Sequence, residues 1–425
     1  MSPPVPETLA RGAHRQPRQR AIAFIDLPRG CMASAAIEEG YVCMAVVPRG
    51  KSLVGAACED PERLVEVAQV KDAKAEPIAE ALFKWREDNG AVEFACVLTH
   101  CEFYIGLAAE VEAILGVGPR LLKSIRFRDK AEMRRALVSV PVLIARGESA
   151  SSSQEAVAIA EGLGLPIVLK PLLGTGSLGV VRLDQLEDIP AAFRAARLRS
   201  LSLGGGDVLV EEYLAGEEVA VEALVSRDGV VVALISDKPE PLVGPYFEES
   251  IYCAPTRLPR ETTEMIEAAT CATVDALGLR SGPVHLEFRV DEGRCYLLEA
   301  AARIGSPPRY ISRAIGRSYE RLSLACLEGT PEYLGSPGDG VNTGAVGYLL
   351  LPSNRKGILR CVQGVARARA IHGVEDVCIW KVPGDRLVEP PDFNGYLGTV
   401  FASADTTEQL QGILKRARQV IQVEV

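Results

Sequence analysis

The stretch Val168-Leu169-Lys170-Pro171-Leu172-Leu173-Gly174-Thr175-Gly176-Ser177-Leu178-Gly179 decides how this chain is read. A buried-strand run from Pro166 ends at Lys170 and passes directly into three glycines within six residues. Glycines let successive backbone N–H groups close over an anion without Cβ obstruction, and the lysine adds positive charge at the same place. A Walker A loop is excluded, because the lysine precedes the glycines and no Gly-Lys-Ser/Thr follows. Alone, the segment fits a Gly-rich hairpin with an exposed lysine equally well. Its surroundings are more specific. Val140 to Ala145 has strand character, and serines 149 and 151–153 precede a helix over Gln154 to Leu163. A second helix runs from Ile189 to Leu198, and Gly204-Gly205-Gly206 leads to the strand Val208-Leu209-Val210. This β-α-β-β-α-β order is that of a small, lid-like domain.

Immediately downstream, Val210-Glu211-Glu212-Tyr213-Leu214-Ala215-Gly216-Glu217-Glu218 ends a strand in carboxylates, turns, and presents another acid. An adenosine pocket can use such a segment, with backbone groups and an acid on the adenine edge and a second acid on the ribose hydroxyls. A solvated acidic turn has the same composition. The pattern then becomes antiparallel. Val219 to Val225 and Val230 to Ile235 are strands joined by Ser-Arg-Asp-Gly, a good hairpin signal. Val284 to Val290 and Cys295 to Ala300 form a second hairpin around Gly293. Alternation places His285, Glu287 and Arg289 on one face. If the loop is Glu292-Gly293-Arg294, Glu299 lies directly opposite Glu287. Their Cβ atoms would then be roughly 4.5–5.5 Å apart, a destabilising like-charge pair. A divalent cation removes that repulsion, and carboxylate and phosphate oxygens are the ligands Mg²⁺ prefers. A two-residue Glu-Gly turn instead leaves two surface acids on opposite faces, so the metal site needs an odd loop or a bulge. Arg303, four residues past Glu299, can hold a transferring phosphoryl group or a carboxylate in bidentate fashion. An exposed loop arginine is the alternative.

Upstream, strands and helices alternate. Ala21 to Ile25 reads as a strand, followed by a Gly30 turn, the small-residue stretch Ala33 to Ile37, and a strand from Tyr41 to Val47. Pro61 to Val70 and Ala75 to Arg86 read as helices, Phe94 to Leu98 as a strand. Thr99-His100-Cys101-Glu102 and a helix through Ile114 follow. The alternation predicts a parallel α/β sheet, whose carboxyl edge is where ligands usually bind. Asp129 to Leu137 is a short helix, and the chain from Gly340 carries short strands, turns and a final helix from Thr407 to Gln419.

The bulk properties bound the answer. With 425 residues, about two to four domains are expected. Hydrophobic residues at 48% and charged ones at 24% exclude general disorder. A net charge of −9 argues against a nucleic-acid partner, so phosphates must meet local positive charge. Eleven cysteines without a C-x-x-C pair suit reduced thiols in a cytoplasmic protein. The first 20 residues hold four Pro and four Arg without an apolar run, which suits a flexible tail. Nothing approaches the roughly 20 apolar residues of a membrane span.

In this order the motifs resemble the ATP-grasp superfamily, and within it the bacterial L-amino-acid (dipeptide-forming) carboxylate–amine ligases, over residues 21 to 425. The resemblance rests on Asp129-Lys130, on Val168 to Pro171 with the glycine loop, and on Glu211-Glu212-Tyr213-Leu214-x-Gly-x-Glu218. The Glu287 hairpin and Glu299-Ala-Ala-Ala-Arg303 complete it. It implies an α/β (α+β) ATP-grasp fold: an N-terminal parallel α/β domain (21–125), a small lid with its linker (126–213), an antiparallel central domain (214–339) and a C-terminal subdomain (340–425). It implies that Lys130 and Lys170 contact ATP phosphates under a loop formed by Gly174, Thr175, Gly176, Ser177 and Gly179. Glu211, Tyr213 and Leu214 would line the adenine site, Glu218 would bind ribose, and Glu287 and Glu299 would hold Mg²⁺, or Mn²⁺ in its place. Arg303 and Lys170 would act on the transferring phosphoryl group. Many ATP-grasp enzymes have Asn where this chain has Ala301, which puts a second metal ion in doubt.

The implied reaction joins a small-molecule carboxylate, activated as an acyl phosphate, to an amine, with amino acids as substrates and a homodimer as the assembly. His100 and Glu102 lie in a loop that resembles a substrate loop of this branch. Glu249 (or Glu248) and Arg309 are further candidates, the first in the irregular Lys238 to Pro255 stretch and the last after Arg303. His285 can be an amine-step base or a structural strand histidine. Two rivals remain: an ATP-grasp carboxylase using bicarbonate, and a nucleotide-binding module without catalysis.

Overall fold

Period-two alternation in the strand Glu217–Ser226 organises the molecule, because the two faces of this strand serve different purposes. In the computed structural model, Val219, Val221, Ala223 and Val225 belong to one apolar core, while Ala220 and Leu224 belong to another. Glu218 and Glu222 share the second face and are buried with it. The structure describes residues 19–26, 32–48, 64–70, 74–90, 92–118, 120–121, 123–174, 176–329, 344–388, 392 and 395–425. Of the tail expected over residues 1–20, the first 18 lie outside the described residues, as do the Gly30 turn and Thr175, while Gln19 and Arg20 already belong to the strand Gln19–Ile25.

The strand stands inside a nine-stranded sheet. From one edge the order is Val374–Ile379, Tyr396–Ala404, Ala345–Pro352, Ile251–Ala254, Gly229–Lys238, Glu217–Ser226, Gly282–Asp291, Arg294–Ala301 and Leu143–Ile144. Three of these come from beyond residue 340, so the expected boundary there does not interrupt the sheet. The helix Arg260–Leu277 supplies Ile266, Val274 and Leu277 to the core on the Val219 face. The helices Pro308–Ile315 and Tyr319–Glu328 supply Tyr310, Ile311 and Tyr319 to the other. Leu410, Ile413, Leu414 and Ala417 of the last helix, Thr407–Val420, close a third core over the C-terminal strands.

The N-terminal sheet is fully parallel among its described strands, in the order Leu64–Val70, Val42–Pro48, Gln19–Ile25, Val92–Leu98. Residues 64–70 are thus a strand and not the second half of a helix from Pro61 to Val70. The apolar positions 64, 65, 67, 68 and 70 satisfy either period, and Val65, Val67 and Val70 tip such a run toward the extended form. The small domain is an antiparallel sheet in the order Gly147–Ala150, Val208–Glu212, Ile167–Pro171, Val181–Leu183, covered by Ser153–Leu163 and Ile189–Leu201. Its first strand, Gly147-Glu148-Ser149-Ala150, has no β-branched residue to announce it. Gly147 is needed there, since a Cβ would lie 2.3 Å from the Val210 carbonyl oxygen. The strand expected over Val140 to Ala145 shrinks to Leu143–Ile144, which pairs in parallel with Tyr296 and Leu297 at the edge of the large sheet.

Two glycines test this packing. Gly216 has φ +94° and its Cβ position lies 2.1 Å from the Val290 carbonyl oxygen, whereas Gly293 has φ +74° with nothing within 4 Å. Gly293→Ala is expected to cost about 1–2 kcal/mol from the left-handed backbone alone. Gly216→Ala is expected to cost clearly more, because backbone must also move. Urea unfolding of both variants checks the order.

Candidate functional site

The hairpin Gly282–Asp291 and Arg294–Ala301 builds the centre of the site. Its loop is the two-residue turn Glu292-Gly293, with φ 47° and 74°, the positive values a type I′ turn requires. Such a turn would put Glu287 and Glu299 on opposite faces. A β-bulge reverses this: Phe288 pairs with Leu297, Glu287 pairs with Glu299, and Leu298 is the extra residue. The two acids therefore face each other, and they line one cleft with Lys130, Lys170, Glu211 and Glu218.

Charge gathers on this face because neighbouring strands align it. Glu218 lies across from Lys238 on one side and Arg289 on the other, and Glu222 across from His285. The Lys238 amine meets Glu218 at 2.8 Å, Glu287 at 2.9 Å and Glu249 at 3.0 Å, with its side chain only 3% exposed. Burial alone would discharge that amine, but the three carboxylates hold it well above the ordinary lysine range. Burial likewise works against ionised Glu287, and Lys238 with His285 holds its carboxyl well below the usual value. Glu299 moves the other way. Burial raises it, Lys130 at 3.5 Å lowers it, and the nearby carboxylates of Glu102 and Glu287 leave it raised.

The remaining positive groups have defined anchors. Asp129 caps the helix Lys130–Leu137 by accepting from the N–H groups of Ala131 and Glu132, which fixes Lys130 at the helix start. The Lys130 amine also reaches the Gly174 carbonyl at 3.5 Å, tying the helix to the glycine segment. Lys170 pairs with Glu211 at 2.6 Å, and Arg134 bonds the other Glu211 oxygen. Glu211 thus contributes its carboxylate to holding a lysine, not to an open adenine edge. Tyr213 lies 4.3 Å beneath the Arg182 guanidinium, and the Leu214 carbonyl accepts from Arg289 at 3.1 Å. The turn over residues 176–179 has positive φ at Gly176, Ser177 and Gly179.

Of the residues expected from sequence, Lys130, Lys170, Gly174, Ser177, Glu211, Tyr213, Leu214, Glu218, Glu287 and Glu299 line one cleft. Ala145, Val168, Leu178, Val180, Phe247 and Leu298 give it an apolar wall. An apolar wall with a few convergent charged groups suits a small-molecule ligand. Arg303 stands beside it, bound to Glu102 at 2.7 Å, so the loop after the parallel strand Val92–Leu98 reaches the central domain. Glu249 joins through Lys238. Arg309 does not: its guanidinium pairs with Asp376 at 2.7 Å and lies over the Phe401 ring, directed at the C-terminal strands. His100 is not part of the cleft wall. Sequence reasoning missed Lys238, which lies beyond the expected end of its strand at Ile235. A β-bulge at Ala233 switches faces between Val232 and Leu234, so a period-two count from Val230 would have placed it on the apolar face instead of beside Glu218. The thiols of Cys96, Cys253 and Cys326 are pushed up to about 12 by burial, which leaves them poor nucleophiles.

Among the described residues, no group of three or more His, Cys, Asp or Glu side chains is arranged to hold a metal ion, and no helix is long and apolar enough to cross a membrane. A pair of carboxylates is nonetheless what a Mg²⁺ ion shared with phosphate oxygens uses. The facing acids, one of them raised by burial and by neighbouring carboxylates, fit such an ion. The buried Lys238 cluster gives a stability test. Lys238→Met removes the ammonium shared by three acids and is expected to cost about 3–5 kcal/mol. Arg146→Met breaks an exposed pair with Glu212 and is expected to cost at most about 1 kcal/mol. Guanidinium titration separates the two.

Comparison with known proteins agrees with this geometry. A family model of the ATP-grasp domain matches residues 163–307, and one of the L-amino acid ligase C-terminal domain 2 matches residues 349–425. The crystal structure of L-amino acid ligase from Bacillus licheniformis superposes with a TM-score of 0.79 at 23% identity, covering 96% of this chain and 99% of that one. Alanine–anticapsin ligase of Bacillus subtilis is 24% identical over 304 residues, 66% of this chain and 63% of the relative. A D-alanine–D-alanine ligase of Desulforudis audaxviator is 31% identical over 199 residues, 45% of this chain and 63% of the relative. The chain therefore spans less than two thirds of the length of either curated relative. The chain carries an ATP-grasp domain over residues 163–307, which contains the facing acids, and over residues 349–425 a segment that matches the C-terminal domain of the L-amino acid ligases.

Proposed function

We propose that this chain is an ATP-dependent carboxylate–amine ligase acting on amino acids in the cytoplasm. The γ-phosphoryl group of ATP passes to a substrate carboxylate, releasing ADP. The amine of the second substrate then attacks the acyl phosphate, the C–O bond to phosphate breaks, and an amide and inorganic phosphate leave. The observation that carries this reading is the bulge-enforced opposition of Glu287 and Glu299, with Lys130 3.5 Å from the latter.

In this reading Glu287 and Glu299 hold Mg²⁺ or Mn²⁺, which would neutralise charge on the ATP phosphates. Lys130 and Lys170 bind the same phosphates, and the segment Gly174–Gly179 covers them with backbone N–H groups. The apolar wall around Tyr213 and Leu214 takes the adenine, and Glu218 the ribose. Arg303 holds the carboxylate and its transferring phosphoryl group in line, and Glu102 at 2.7 Å keeps that guanidinium in place. Closing the small domain over the site protects the acyl phosphate from water.

The competing chemistry is activation of bicarbonate, and the C-terminal match to L-amino acid ligases weighs against it. ADP release measured over an amino-acid panel, with and without bicarbonate, separates the two. Turnover is expected only when a carboxylate and an amine are both present, and dependence on bicarbonate alone would overturn the ligase. Glu287→Ala combined with Glu299→Ala is expected to bring turnover to background while nucleotide still binds. Arg303→Met is expected to lower kcat by about 10²–10³-fold, the usual loss when one donor to a developing oxyanion is removed. Equal turnover in this variant would remove Arg303 from the chemistry.

A further inference from the structure

His285 is buried on the charged face but stays outside the cleft wall. Its Nδ1 lies 2.9 Å from Glu222 Oε1, and its Nε2 lies 3.4 Å from Glu287 Oε1. Glu222 is fully buried and already accepts the backbone N–H of Ser306 at 2.6 Å and that of Gly305 at 3.2 Å. Gly305 presses on the ring so closely that a Cβ would come within 2.1 Å of Nδ1. The imidazole is therefore gripped along one edge and cannot turn toward the cleft as a base for an incoming amine.

The consequence falls on Glu287. Lys238 reaches Glu287 Oε1 at 2.9 Å, the same oxygen that His285 faces. Among the described residues no protein group bonds Oε2. Both contacts therefore hold one oxygen and leave the other for a ligand of the cleft that Glu287 lines. The same chain of contacts runs from Glu287 through His285 and Glu222 to the backbone at Gly305 and Ser306. That segment lies two residues after Arg303, whose guanidinium also bonds the Ile304 carbonyl at 3.2 Å.

We propose that His285 is a positioning residue, which orients the Glu287 carboxylate for a divalent cation and, through Glu222, locks the Arg303–Ser306 segment to the same carboxylate. The inference rests on the reading of Glu287 and Glu299 as the cation's protein ligands. Groups that orient a ligand from behind typically change metal affinity by about 10–100-fold when removed. A histidine that merely fills the strand interior would alter stability without selecting the cation over the nucleotide.

Mn²⁺ binding in the presence of ADP, followed by electron paramagnetic resonance, tests this on the whole chain. ADP affinity in EDTA is measured alongside. His285→Ala is expected to weaken Mn²⁺ binding by about 10-fold or more while metal-free ADP affinity holds, and His285→Gln, which keeps an N–H near Glu287, is expected to recover part of the loss. Glu222→Gln, which loosens the ring without removing it, is expected to shift Mn²⁺ in the same direction. Should His285→Ala fail to fold, the Gln and Glu222 variants carry the comparison. Parent-like Mn²⁺ affinity in these variants, or an equal loss of metal-free ADP affinity, overturns the positioning role alone. Absence of Mn²⁺ binding in the parent overturns the cation site itself, and the positioning role with it.

Discussion

One extra residue in one strand sets the chemistry of this molecule. Without Leu298 in the ladder, the two-residue turn at Glu292 and Gly293 would direct Glu287 to one face of the sheet and Glu299 to the other. The apolar pairing of Phe288 with Leu297 fixes the register on the turn side of the bulge, since both side chains are locked in the core beneath the sheet. Beyond it, the acids are forced together. Two carboxylates directly across a strand pair repel each other, and the fold accepts that strain where cations can be recruited.

The charged face is balanced from within by buried cations on adjacent strands and on the capped helix. Lys238 answers Glu218, Glu249 and Glu287, Arg289 answers Glu218, and Lys130 answers Glu299. Each pair is worth little as stabilisation, because burying two ions costs about what their attraction returns. Their value lies in registry. They tie the strand Gly229–Lys238, the segment carrying Glu249, and the hairpin to one geometry, so Glu218, Glu249 and Glu287 move together. Arg418 of the last helix adds a tie to the same segment through Glu240, at 2.8 and 2.9 Å.

The lysines, the glycine segment and the paired acids were legible in the sequence because each is a local pattern with its own physical reason. The bulge was not, since counting residues around Glu292-Gly293 allows an odd loop or a two-residue turn, and only the packing of Phe288 and Leu297 decides. Residues 64–70 were misread because their apolar spacing serves both periods. Gly147 to Ala150 escaped because its extended form comes from pairing with Val208–Glu212, not from its own side chains. Lys238 was overlooked for a related reason: its role comes from three partners at separations of 11, 20 and 49 residues, which no window along the chain contains.

The most direct measurement is a crystal structure of the chain with ADP and Mn²⁺, with the metal located by its anomalous signal. The ligase reading predicts a peak between the carboxylates of Glu287 and Glu299, within about 2.0–2.3 Å of an oxygen from each. It also predicts diphosphate oxygens completing the shell and the Lys130 and Lys170 amines turned onto the phosphates. A metal peak elsewhere, with Glu299 still bound only by Lys130 and Glu287 only by Lys238 and His285, would contradict it.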